Sequence, residues 1–123
     1  MLAVPSTVLI VDDNERFRVR ARRWLEAEGY AVVGEAADGV AALEAAEDVR
    51  PDVVLLDVVL PDMSGMEVAE RLARKSAPPA VVLTSTHDAA DFGDRIARCG
   101  ARGFVPKAEL SGGALSSLLS QRA

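Results

Sequence analysis

Few residues in this chain suit covalent cross-linking or metal capture by soft ligands. There is one cysteine, Cys99, and one histidine, His87, in 123 residues. A single cysteine cannot close an internal disulfide; it fits a reducing cytosol and reads as a small helix residue rather than a reactive thiol. No excess of basic charge is present. Fourteen Lys and Arg face nineteen Asp and Glu, a formal net charge of −5, which argues against a binder of the nucleic-acid backbone. No apolar run approaches the roughly 18 residues a membrane span needs. The opening MLAVPSTVLIVDD lacks the basic start and long apolar stretch of a secretory signal. A cytoplasmic location and no membrane contact are therefore expected. Repeats, low-complexity tracts and Pro/Gly/Ser-rich linkers are also missing, and the length suits one domain over residues 1–123.

What is present is an alternation. Val8–Val11, Val53–Asp57 and Ala80–Thr84 are short apolar runs rich in β-branched residues. Such runs, without polar alternation, fit strands buried on both faces. Tyr30–Glu35 and Ala101–Val105 complete a set of five strands. Between them, apolar residues recur at helical spacing. Helices are predicted over Glu15–Glu28 (with Asn14 as N-cap), Val40–Glu47, Met66–Lys75 with Met66, Ala69, Leu72 and Ala73 inward, Asp88–Arg98, and Leu110–Gln121. Strand–helix alternation repeated five times implies an α/β fold, a doubly wound (βα)5 unit with a parallel sheet and helices on both faces. Ligands of such folds bind outside the carboxyl ends of the strands.

Those ends collect chemistry. Asp12 and Asp13 close the first strand, Asp57 the third and Thr84 the fourth, and Lys107 follows the fifth. Taken singly, each has an ordinary role: a helix N-terminal acid pair, a turn acid, a β-former, a surface cation. Together they place three carboxylates, a hydroxyl and an amine on one sheet edge. Crowded carboxylates repel unless a cation sits among them. A hard divalent ion such as Mg²⁺, which takes one or two carboxylates and keeps waters, suits this set.

The stretches VLIVDDN (8–14), DVVLLDVVLPDMSGME (52–67), VVLTS (81–85) and GFVPK (103–107) make the chain resemble, from end to end, the receiver domains of bacterial two-component response regulators, the chemotaxis receiver among them. The resemblance implies a flavodoxin-like five-stranded sheet of order 2-1-3-4-5. It implies that Asp57 accepts a phosphoryl group from a histidine kinase's phosphohistidine, or from a small phosphodonor. The metal, Mg²⁺ or alternatively Mn²⁺, would be held by Asp13, Asp57 and the backbone carbonyl of Val59, with Asp12 nearby or acting through water. Thr84 would be the switch hydroxyl, Lys107 the lysine paired with the carboxylate or phosphoryl group, and Phe104 the rotating aromatic. Further implications are a sensor kinase or phosphotransfer protein as donor, a downstream protein effector, no nucleic-acid contact by this domain, and a phosphorylation-responsive surface on the fourth helix, fifth strand and fifth helix, including Phe92, Phe104 and Leu110, which would control the partner and also offers a homodimer contact. No turnover beyond self-phosphorylation and dephosphorylation is expected.

Two departures stand out. Pro106 precedes Lys107 and Ala108 follows it, where many members have Lys-Pro; a cis Lys107–Ala108 bond would cost about 3–4 kcal/mol, so trans is expected. Phe rather than Tyr at 104 offers no hydroxyl. Arg16, Arg18, Arg20, Arg22 and Arg23 crowd the first helix and read as a solvated face, with kinase docking as the alternative; Trp24 reads as core, and His87 as incidental. The last helix is expected to run to within a few residues of the final position, which favours the expectation of a stand-alone receiver, with the receiver portion of a longer DNA-binding transcriptional regulator as the alternative. An aspartate-nucleophile phosphatase would need Asp-x-Asp, but Val58 and Val59 follow Asp57. A flavin-binding protein would want a Ser/Thr/Gly-rich loop where Asp12-Asp13-Asn14 stands.

Overall fold

The computed structural model describes residues 6–119. Five strands, β1 (Thr7–Val11), β2 (Ala31–Ala36), β3 (Val53–Asp57), β4 (Ala80–Ser85) and β5 (Gly103–Pro106), form one parallel sheet in the order β2-β1-β3-β4-β5. The helices are α1 (Glu15–Ala27), α2 (Gly39–Val49), α3 (Gly65–Ala73), α4 (Arg95–Arg98) and α5 (Gly112–Leu119). The expected end of the last helix at Gln121, and the first five residues, lie outside the described residues.

The central strands sort their side chains by parity, as a pleated strand must. Leu9, Val11, Val54, Leu56, Val81 and Leu83 enter one core, shared with Ala42, Met66, Val68 and Leu72 of α2 and α3. Val8, Ile10, Val53, Leu55 and Val82 enter the other, shared with Phe17, Ala21 and Leu25 of α1 and Leu115 of α5. Because both faces are covered, these strands can be apolar throughout. Trp24 is half-buried against the second core.

Local chemistry sets the helix starts. The side chains of Asn14, Asp38 and Ser64 accept backbone N–H bonds at the heads of α1, α2 and α3. Ser111 Oγ does the same for Ala114, so α5 begins at Gly112 and leaves Leu110 extended. Two expectations are corrected. Ala73 is exposed rather than inward, because α3 ends there. The helix expected over Asp88–Arg98 is broken into a 3₁₀ turn at Ala89–Phe92 and the single turn of α4. Gly93 between them takes φ 62°, and no residue in either piece is fully buried, so little packing opposes the break. Among the described residues no helix is long and apolar enough to cross a membrane.

Candidate functional site

The sheet order lays β1, β3 and β4 side by side, so their carboxyl ends meet. Asp57 lies opposite Thr84 in the β3–β4 register, and Asp12 follows Val11, which pairs with Leu56. Carboxylate oxygens of Asp12, Asp13 and Asp57 all lie within 4.8 Å of one another. Asp12 is fully buried and Asp57 nearly so, while Asp13 is exposed.

Lys107 binds the inner two. Its Nζ is 2.6 Å from Asp12 Oδ2 and 3.1 Å from Asp57 Oδ2, and it sits 4.4 Å above the centre of the Phe17 ring. The Lys107–Ala108 bond is trans, as expected. Burial would lower the lysine's pKa, but Asp12 and Asp57 outweigh it and raise the value. Asp57 goes up as well. Its burial is the main cause and repulsion from Asp12 adds to it, against the Val59 N–H and Lys107. The Val59 amide donates to Asp57 Oδ1 at 3.0 Å. Asp12 Oδ1 accepts the Asn14 N–H at 2.9 Å, and Arg18 Nη1 donates to the Asp12 carbonyl at 2.7 Å. Asp12 Oδ2 has no donor at a hydrogen-bonding angle; the Lys107 charge is its sole compensation among the described residues.

Three carboxylates with one ammonium leave the cluster net negative, all of its metal-facing donors are oxygen, and one buried oxygen has ligand capacity to spare. That donor set fits a hard divalent cation. Asp12 thus belongs to the carboxylate cluster, as its place at the end of the first strand suggested. The Thr84 hydroxyl is buried and donates to the Val105 carbonyl at 2.7 Å, toward β5 rather than toward Asp57. Phe104 is half-buried beside Phe92, ring centres 6.1 Å apart.

Several contributors escaped sequence reasoning. A Cβ on Gly65 would lie 2.1 Å from the Asp57 carbonyl oxygen, so only glycine lets α3 start against β3. The Gly65 N–H also bonds the Val58 carbonyl at 2.7 Å. Asp62 reaches back to the N–H groups of Gly39 and Val40, at 2.7 and 2.9 Å, and ties the loop after Asp57 to the head of α2. Its position within Pro-Asp-Met-Ser-Gly signalled a loop, but no local pattern names a partner 23 residues away. Of the arginines of α1, Arg18 and Arg22 both grip Glu35 on β2, at 3.0 and 2.9 Å, whereas Arg16, Arg20 and Arg23 are exposed. His87 is exposed and approaches Ser85 Oγ at 3.4 Å.

A family model described as the response regulator receiver domain matches residues 8–116. The chain belongs to that family. This receiver domain is 40% identical over 105 residues to the transcriptional regulatory protein PdtaR of Mycobacterium tuberculosis, covering 85% of this chain and 51% of the relative. Among solved structures it is similar to the signal receiver domain of the response regulator NarL from Mycobacterium tuberculosis, with TM-score 0.85 and 34% identity over 97% of this chain and 100% of that one. A LuxR-family response regulator from Aurantimonas gives TM-score 0.84 and 31% identity, with 97% and 89% covered. The receiver spans about half the length of the curated relatives it matches. The flavodoxin-like order expected from the sequence is the one observed.

Proposed function

We propose that this receiver accepts a phosphoryl group on Asp57 from a kinase or phosphotransfer phosphohistidine, or from a small phosphodonor, and thereby changes the surface built by α4, β5 and α5. The observation that supports this best is the Lys107 ammonium held between the buried carboxylates of Asp12 and Asp57. A carboxylate oxygen of Asp57 attacks phosphorus. The P–N bond of the donor breaks, its electron pair returns to the imidazole nitrogen, and an acyl phosphate remains. Such transfer asks chiefly for positioning and charge neutralisation. Asp57 is positioned by the Val59 amide and Lys107, and Lys107 supplies positive charge beside the incoming oxygens.

Asp12, Asp13, Asp57 and the carbonyl of Val59 would hold Mg²⁺, or Mn²⁺ in its place; when bound, the ion adds charge neutralisation for phosphoryl oxygens. Thr84 would exchange its bond to the Val105 carbonyl for one to a phosphoryl oxygen, and Phe104 would turn into the space released. That surface would meet a protein effector or a second copy of the domain. The domain itself would turn over nothing beyond its own phosphorylation and dephosphorylation, in the cytoplasm. Because the matched relatives are about twice as long and include transcriptional regulators, a second reading makes this chain the receiver portion of a DNA-binding regulator, whose nucleic-acid contacts would lie in another domain.

Incubation with acetyl phosphate and Mg²⁺, followed by intact-mass measurement, tests the site. One added phosphoryl group is expected, absent in Asp57→Asn; an undiminished adduct on that variant refutes the assignment.

A further inference from the structure

Beside α3, with none of Asp12, Asp13, Asp57 and Lys107 in its lining, lies a half-open cleft of about 770 Å³. Arg71 and Arg74 line it from α3 and its C-cap, and Arg95 and Arg98 from α4; Glu67 and Glu70 are the acids in its wall. Four guanidinium groups against two carboxylates make the cleft net positive, in a chain whose formal net charge is −5. Arg71 is held by Glu67 at 2.7 Å and Arg98 by Asp94 at 3.5 Å. The side chains of Arg74 and Arg95 have no hydrogen bond or ion pair among the described residues, so each wall presents one unpaired guanidinium, with Glu70 the unpaired acid of the α3 wall.

From this placement we infer a second anion site: the α3–α4 cleft binds a linear polyphosphate chain, free or as the phosphate arm of a nucleoside polyphosphate. Every cation in it is arginine, whose planar fork matches phosphate oxygens two at a time. The arginines stand three residues apart on each wall, and residues so spaced share a helix face. Charge is thus spread along two walls, which suits an anion with several phosphoryl groups better than a single one. No aromatic residue lines the cleft to stack a base. The cleft's size falls within the range of small-ligand sites, roughly 300–1,000 Å³.

The test is calorimetric titration of the full chain, without Mg²⁺ and at about 0.15 M salt so that loose charge attraction is screened. Tripolyphosphate, ATP, orthophosphate and a short polyglutamate peptide are the titrants. Tripolyphosphate should bind saturably at one site, orthophosphate much more weakly, and Asp57→Asn should bind as the parent does. ATP matching tripolyphosphate supports recognition of the chain alone, and ATP binding more tightly supports a nucleotide. Arg74→Gln combined with Arg95→Gln, both exposed positions, should weaken tripolyphosphate roughly tenfold or more. Unchanged affinity in that double variant, or no saturable binding, overturns the proposal. So does binding of the peptide alone, which would assign the cleft to an acidic protein segment.

Discussion

Replacing Lys107 with Met removes the ammonium but keeps an unbranched stem over Phe17. In the parent, Nζ lies 2.6 Å from Asp12 and 3.1 Å from Asp57, and both carboxylates are at least nine-tenths buried. A unit-charge pair about 4 Å apart is worth about 4 kcal/mol at an effective dielectric near 20, and these contacts are shorter. The cost of burying the ions offsets much of that gain, but removing one partner leaves the others uncompensated, which typically costs about 3–5 kcal/mol. Loss of the cation–π contact adds about 0.5–1 kcal/mol. Lys107→Met should therefore lose about 3 kcal/mol at neutral pH without Mg²⁺, a fall in Tm of roughly 10 °C for a domain of this size. The pH dependence has a definite sign. Asp57 titrates higher in the folded protein than its ordinary value of 3.8. Its contribution is therefore favourable below that value and is lost as pH rises through the folded pKa. Without Lys107 the folded pKa climbs further, so the deficit should shrink on acidification toward the carboxylate range. Adding Asp57→Asn should recover part of the loss, since one of the repelling charges is gone. Urea unfolding over a pH series measures all three quantities. A loss below about 1 kcal/mol, or a deficit independent of pH, would show that the ammonium does not neutralise the buried acids.

Asp13→Ala should abolish Mg²⁺-dependent phosphorylation by acetyl phosphate and leave the metal-free Tm unchanged or higher, because Asn14 rather than Asp13 caps α1; a large drop in Tm would mark Asp13 as structural. Gly65→Ala should destabilise by about 3 kcal/mol, since its Cβ would overlap the Asp57 carbonyl oxygen and the neighbours are backbone; chemical denaturation reads this directly. Glu35 is buried enough to raise its pKa, but Arg22 and Arg18 override that and lower it below 4.5. The stability it adds is present above that value and is lost as pH falls through the lower folded pKa. In Glu35→Gln, that part of the acid destabilisation should disappear, with an effect of about 1 kcal/mol or less at neutral pH, as for a partly exposed pair.

Strand–helix alternation, the cap at Asn14, and the gathering of Asp12, Asp13, Asp57, Thr84 and Lys107 at strand ends were all legible in the chain itself. Periodicity and capping are local, and a parallel sheet necessarily aligns its carboxyl ends. Contacts across the fold were not legible. Nothing local pairs Asp62 with Gly39, Glu35 with two arginines of α1, or Arg74 with Arg95, because each pairing depends on how separate elements pack. The break at Gly93 also belongs to tertiary structure. The helical pattern over 88–98 was real, but a short helix holds only where packing offsets its ordering cost, and here none of its side chains is fully buried. Which residues carry charge at the sheet edge was a property of the sequence; which of them lose water, and so need Lys107, was decided by the fold.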